Sequence, residues 1–77
     1  APRPLWLLPE PRPMAQPAPD SLLAGPERIE SGWWDGAEVR RDYFVARSAQ
    51  AGLLWIYRER LAQAGAQPGW FLHGLFA

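Results

Sequence analysis

The sequence predicts a mainly β protein: a small antiparallel sheet of about four to five short strands, with a central hairpin near residues 41–58 and a Pro-rich extended segment. Three observations predict it. Residues 40–47 (RRDYFVAR) centre on Tyr43, Phe44 and Val45, all of high strand propensity. Residues 53–58 (LLWIYR) alternate with period two, and residues 48–52 (SAQAG) join the two runs as a loop ending in glycine, which suits a hairpin. A turn signal at Asp35-Gly36 and a loop ending at Pro68-Gly69 separate the remaining apolar runs, and Ser31-Gly32 interrupts a strand pattern as a bulge or close approach does. The stretch 25–60 holds three of the five Trp and both Tyr, so a core or binding face must rest mainly on it.

Taken in order, residues 4–8 (PLWLL) are apolar and bounded by prolines, the pattern of an edge strand. Residues 9–20 (PEPRPMAQPAPD) contain five prolines and read as an extended, polyproline-like spacer, or as a ligand for a proline-binding domain. Residues 21–25 (SLLAG) suit either one helical turn or an extended lead-in, and Pro26 biases Gly25 away from the helical region. The organisation expected is therefore an edge strand over 1–8, a Pro/Ala-rich linker over 9–24 and a small β domain over 25–77, one domain in all. Within it, 27–34 (ERIESGWW) alternates around Ile29. In the hairpin, Leu53, Trp55 and Tyr57 share one face with Tyr43, Val45 and Arg47, while Leu54, Ile56 and Arg58 share the other with Phe44 and Ala46. Both faces are apolar, although a small free-standing sheet normally keeps one face wet. The second face must be covered by the Pro-rich segment and the C-terminal tail, or by another protein. Residues 59–69 begin as a helical turn around Leu61 and dissolve into a loop, and 70–74 (WFLHG) form a last strand.

A chain of 77 residues buries only about 60% of the surface its unfolded form exposes, so its stability is marginal. It has no cysteine and one histidine, His73, which leaves no disulfide and no ligand set for a closed structural zinc site. The lack of cysteine fits a reducing, cytoplasmic location. No apolar run approaches the length of a transmembrane helix, so no membrane partner is expected. The chain starts at Ala1 and its one methionine is Met14, the pattern of a piece of a longer protein. Eight basic residues balance eight acids, which argues against strong general affinity for phosphate backbones. All eight bases are Arg. Genome composition produces such a bias, and Arg forks also suit carboxylates and aromatic faces.

No nucleophile, base and orienting group converge in the sequence, so the chain is not expected to be an enzyme, and no cofactor or metal is expected. His73 reads as a packed or hydrogen-bonded residue. The acids Glu27, Glu30, Asp35, Glu38 and Asp42 have Arg28, Arg40 and Arg41 close in sequence and read as ion-pair partners rather than a cation site. The segment 50–54 (QAGLL) faintly resembles a clamp-docking peptide but lacks its aromatic ending and lies in the hairpin turn. Trp33-Trp34 is the most unusual local feature. Alternation would send one indole inward and the other outward, as an interface anchor or a base-stacking platform; equally, both belong to the core. The candidate partner-binding residues are Trp33, Trp34, Tyr43, Trp55 and Tyr57. The candidate DNA-binding residues are Arg40, Arg41 and Arg47.

Four ordered blocks, 25–36 (GPERIESGWWDG), 40–47 (RRDYFVAR), 54–59 (LWIYRE) and 70–77 (WFLHGLFA), together with the leading PLWLL, resemble the C-terminal end of ImuB proteins. These are bacterial proteins shaped like Y-family DNA polymerases but without the catalytic carboxylates. The resemblance implies an adaptor in damage-induced, error-prone translesion synthesis within the SOS response. It implies as partners the RecA-like ImuA, the C-family polymerase ImuC, and a sliding clamp contacted through other parts of the full-length protein. It implies a non-catalytic protein-interaction module; the alternative is a module that contacts single-stranded DNA through exposed Trp and Arg. The Pro/Ala-rich stretch 10–23 departs from the family pattern, where further strand-forming sequence is expected.

Overall fold

The computed structural model describes residues 3–31, 39–50, 52–61 and 69–76. Among the described residues, alternating apolar residues build five strands, β1 (Trp6–Met14), β2 (Leu22–Ser31), β3 (Val39–Ser48), β4 (Gly52–Leu61) and β5 (Gly69–Leu75), with a 3-10 turn at Pro19–Ser21. They form one open antiparallel sheet in the order β1-β5-β4-β3-β2, so the fold class read from the sequence holds. The hairpin β3–β4 is its centre and pairs without a register slip from Val39↔Leu61 to Ser48↔Gly52. Gly52 closes the turn at φ 74°, a left-handed conformation that glycine adopts without a Cβ penalty.

Two local expectations change, and a third, open between a helical turn and an extended lead-in, resolves as extended. Residues 9–14 do not belong to a linker: they continue β1, which pairs with β5 through Arg12↔Leu72, Pro13↔Phe71 and Met14↔Trp70. Proline is tolerated because β1 is an edge, where a missing N–H can face away from the ladder. A register shift between Leu7 and Arg12 also takes 8–11 out of regular pairing. Leu22, Leu23 and Ala24 are extended within β2, not helical. Finally, β4 runs on to Leu61, so residues 59–61 are extended where a helical turn is expected to begin, and the rest of that stretch lies outside the described residues. Pairing of Glu59, Arg60 and Leu61 with Arg41, Arg40 and Val39 satisfies that backbone and overrides the local preference.

What remains of the Pro-rich connection is 15–21. Since β1 and β2 lie at opposite edges, it must traverse four strand spacings, about 19 Å, across the sheet. Its 3-10 turn contacts β3 and is closed by the Ser21 N–H and hydroxyl, both donating to the Ala18 carbonyl at 2.9 and 2.7 Å.

One bulge decides which residues meet on the other face. Between β4 and β5 the register moves from Trp55↔Gly74 to Ile56↔Leu72, so His73 is an extra residue opposite Trp55. That brings its ring beside Trp55, Tyr43 and Tyr57. The first face thus carries a core of Tyr43, Trp55 and Tyr57, with Ile29, Phe71 and Phe76 packed against it. The second face carries buried Ile56, Ala46 and Asp42, with the Phe44 and Trp70 rings 5.5 Å apart.

At the β2 edge the register shifts again between Ala24 and Glu27. Gly25 sits there at φ 112° and precedes a cis peptide bond to Pro26. A Cβ on Gly25 would lie 2.6 Å from the Tyr43 carbonyl oxygen and 3.1 Å from the Phe44 Cα, both backbone atoms that cannot swing aside. Gly25→Ala should therefore cost about 2–3 kcal/mol, from strained backbone and the forced shift of β3. Urea denaturation checks it: an unchanged midpoint would show that β2 moves off β3 at little cost.

Candidate functional site

Ring packing on the first face is dense. Tyr43 stacks on Trp55 at 4.1 Å between centroids and lies 5.1 Å from Tyr57. His73 stacks on Trp55 at 5.2 Å, and Phe71 on Tyr57 at 5.2 Å. A polar thread runs through the rings. Arg41 lies 4.5 Å above the Tyr57 ring and donates through Nη1 to the Tyr43 hydroxyl at 3.3 Å. That hydroxyl is 2.8 Å from His73 Nδ1. With Arg41 already on the oxygen, the simplest assignment has the hydroxyl donating to Nδ1, which leaves the neutral imidazole proton on Nε2. Burial first, and the Arg41 charge second, hold the His73 pKa below its ordinary value. Burial pushes the Tyr57 phenol up, against the opposing pull of Arg41.

The second face carries a charged centre. Asp42 is 1% exposed. Its Oδ1 accepts from Arg28 Nε at 3.2 Å and its Oδ2 from Arg58 Nη2 at 3.1 Å. Arg58 also lies 5.8 Å from the Trp70 ring centre. Burial alone would raise the Asp42 pKa, but the hydrogen bonds from Arg58 and Arg28 outweigh it, and the net shift is downward.

A third cluster ties the N-terminal residues to the far side of the sheet. Both Arg3 Nη atoms donate to Glu27 on β2, at 2.7 and 2.8 Å, and the guanidinium stands 5.7 Å from the Trp55 ring centre. The hydrogen bonds from Arg3 hold the Glu27 carboxyl below its ordinary value. Beside this pair lies an open cleft of about 220 Å³ whose lining includes Ala24, Pro26, Glu27, Tyr43, Val45 and Trp55.

The candidates read from the sequence distribute as follows. Trp33 and Trp34 lie outside the described residues. Tyr43, Trp55 and Tyr57 come together, but as the packed core of the first face, where they present almost no surface. Aromatic alternation marks a strand face without saying whether its own neighbours will cover it. Arg41 faces the aromatic core, whereas Arg40 alternates onto the face of Asp42 and Arg47 lies six residues from Arg41, about 20 Å along β3. The three arginines therefore do not converge on one surface.

Sequence reasoning missed a surface that the register reveals. One row across the sheet reads Trp6, Leu75, Leu54, Ala46, Leu22. The exposed large apolar side chains among the described residues, Leu5, Trp6, Leu7, Leu23 and Leu53, all fall within one residue of that row. They gather at the hairpin-turn end of the sheet, and Trp6, at 65% exposure, is the largest of them. The run PLWLL was visible as a strand, and its solvation follows only from its position at an edge. Among the described residues, no three His, Cys, Asp or Glu come together as a metal site.

Fold and surface together define a small antiparallel β module with two filled faces and an apolar end. No family model matches the chain, and no solved structure does. Among curated proteins it is similar to Protein ImuB of Caulobacter vibrioides, in strains NA1000 / CB15N and ATCC 19089 / CIP 103742 / CB 15. Each is 37% identical over 60 residues, covering 68% of this chain. The match takes in 13% of the length of those relatives, so it relates this chain to one region of ImuB.

Proposed function

We propose that this chain is a non-catalytic protein-interaction region of an ImuB-like adaptor, acting in damage-induced, error-prone translesion DNA synthesis in the bacterial cytoplasm. The similarity to ImuB carries the reading. The docking surface is the apolar end around Leu5, Trp6, Leu7, Leu23 and Leu53, and the partner is ImuA or ImuC. Exposed apolar side chains gathered at one end of the sheet, on both of its faces, suit protein docking. A net charge of zero and dispersed arginines suit it better than a nucleic-acid track.

The test is retention of purified ImuA, purified ImuC and single-stranded DNA on the immobilised chain, at low and moderate salt. Retention of either protein should survive the higher salt and fall at least tenfold in a Trp6→Ala/Leu7→Ser variant whose far-ultraviolet circular dichroism is unchanged. Salt-sensitive retention of DNA alone would overturn the reading. Retention of a partner that the double variant leaves intact would remove the apolar end from it.

A further inference from the structure

The Arg3 contact has the composition of a recognition site. A carboxylate accepts both arms of a guanidinium, and an indole stands within cation–π range of the same group. Glu27 and Trp55 also line a largely apolar cleft over β2, β3 and β4, large enough for one further side chain. The site is built by the sheet itself: Glu27 is placed by its pairing with Tyr43, and Trp55 by its pairing with Val45 and its stacking on Tyr43. The occupant is placed otherwise. Arg3 precedes β1 and belongs to no strand, and both Arg3 and Glu27 keep substantial exposure, 52% and 36% of their side chains. Solvent-exposed ion pairs of this kind exchange readily, because water competes at little cost. We infer that Glu27, Trp55 and the adjoining cleft form a receptor for the arginine of a peptide segment, held in cis by Arg3 and open to an arginine-bearing peptide in trans.

This inference rests on the site in its filled state and is independent of the docking surface proposed above. The forked geometry sets the specificity: a guanidinium presents two parallel donors to Glu27 and a flat face to Trp55, whereas an ammonium presents neither. Arg3 also sets the threshold for exchange. As a tethered ligand it acts at a high effective concentration, so a competing arginine binds the native chain more weakly than a chain without Arg3.

The experiment titrates Nα-acetyl-arginine amide into the Arg3→Ala chain, read by NMR at the Trp55 indole and the Glu27 amide. A saturable shift should appear, with a dissociation constant on the order of millimolar for so small a ligand. Affinity should be at least threefold weaker for the native chain and at least fivefold weaker for Nα-acetyl-lysine amide. Saturation should vanish in the Arg3→Ala/Glu27→Gln double variant. If Arg3→Ala unfolds the sheet, the same series is run on Arg3→Lys, which keeps the charge and gives up the fork. Equal affinity for the two amides, binding that ignores Glu27→Gln, or no saturation in the folded variant would each overturn the assignment.

Discussion

Replacing Tyr43 by alanine should remove most of the chain's stability at 25 °C. Its side chain is shared by several parts of the first face. It stacks on Trp55, packs against Tyr57 and His73, accepts from Arg41 and reaches His73 Nδ1. Truncating a buried aromatic costs about 3–5 kcal/mol, the transfer of the ring plus the cavity it leaves. A domain of this size has on the order of 5 kcal/mol of stability in total. Tyr43→Phe separates packing from polarity. It keeps the ring and strips the hydroxyl from Arg41 and His73, which should cost about 1–2 kcal/mol. The His73 shift gives a second readout. Because burial and Arg41 depress its folded pKa, the unfolded chain binds that proton more tightly. The His73 contribution is complete above about pH 6.5 and declines as pH falls from there towards the folded value. Thermal melts of the native chain should drop between pH 7.5 and 5.5, and Tyr43→Phe should narrow the difference, since the neutral imidazole loses its donor. Melts that coincide at the two pH values in the native chain would show that His73 is not held neutral by this packing.

The hairpin was legible because two signals agree on it. Alternation sets the facing pairs Tyr43↔Tyr57 and Val45↔Trp55, and a glycine-ended loop sets the turn that fixes their register. The edge strand was harder to bound. Proline at 9, 11 and 13 forbids an inner strand, and local sequence does not say that an edge is available to receive it. The same limit explains the site residues. Tyr43, Trp55 and Tyr57 have the composition of an interface and of a core alike; what places them in a core is the bulge at His73 and the close packing of Phe71 and Phe76. Those are long-range facts, as is the Arg3–Glu27 contact across 24 residues of sequence. The exposed apolar end likewise depends on how five strands align, which no single stretch records.

Asp42 supplies the second large effect, because a nearly inaccessible carboxylate is held by two arginines that are not themselves deeply buried. Asp42→Ala should destabilise by about 2–3 kcal/mol, the upper part of the range for hydrogen bonds to charged groups. The larger values reported for broken buried pairs do not apply in full. Arg28 is 57% exposed and can turn to water, so most of the loss falls on Arg58, whose Nε is already buried without a partner. The double variant Asp42→Leu/Arg58→Met should recover most of that loss, since it fills the space without stranding a charge. The pH dependence has a definite sign. The folded carboxyl titrates below its unfolded value of about 3.9, so its contribution is present above that pH and disappears as pH falls through the folded value. Urea titrations at pH 7 and pH 3 should show a drop in the native chain that Asp42→Leu/Arg58→Met largely removes. Should the double variant be no more stable than Asp42→Ala, the second face depends on the charge itself rather than on filling the space between β3 and β4.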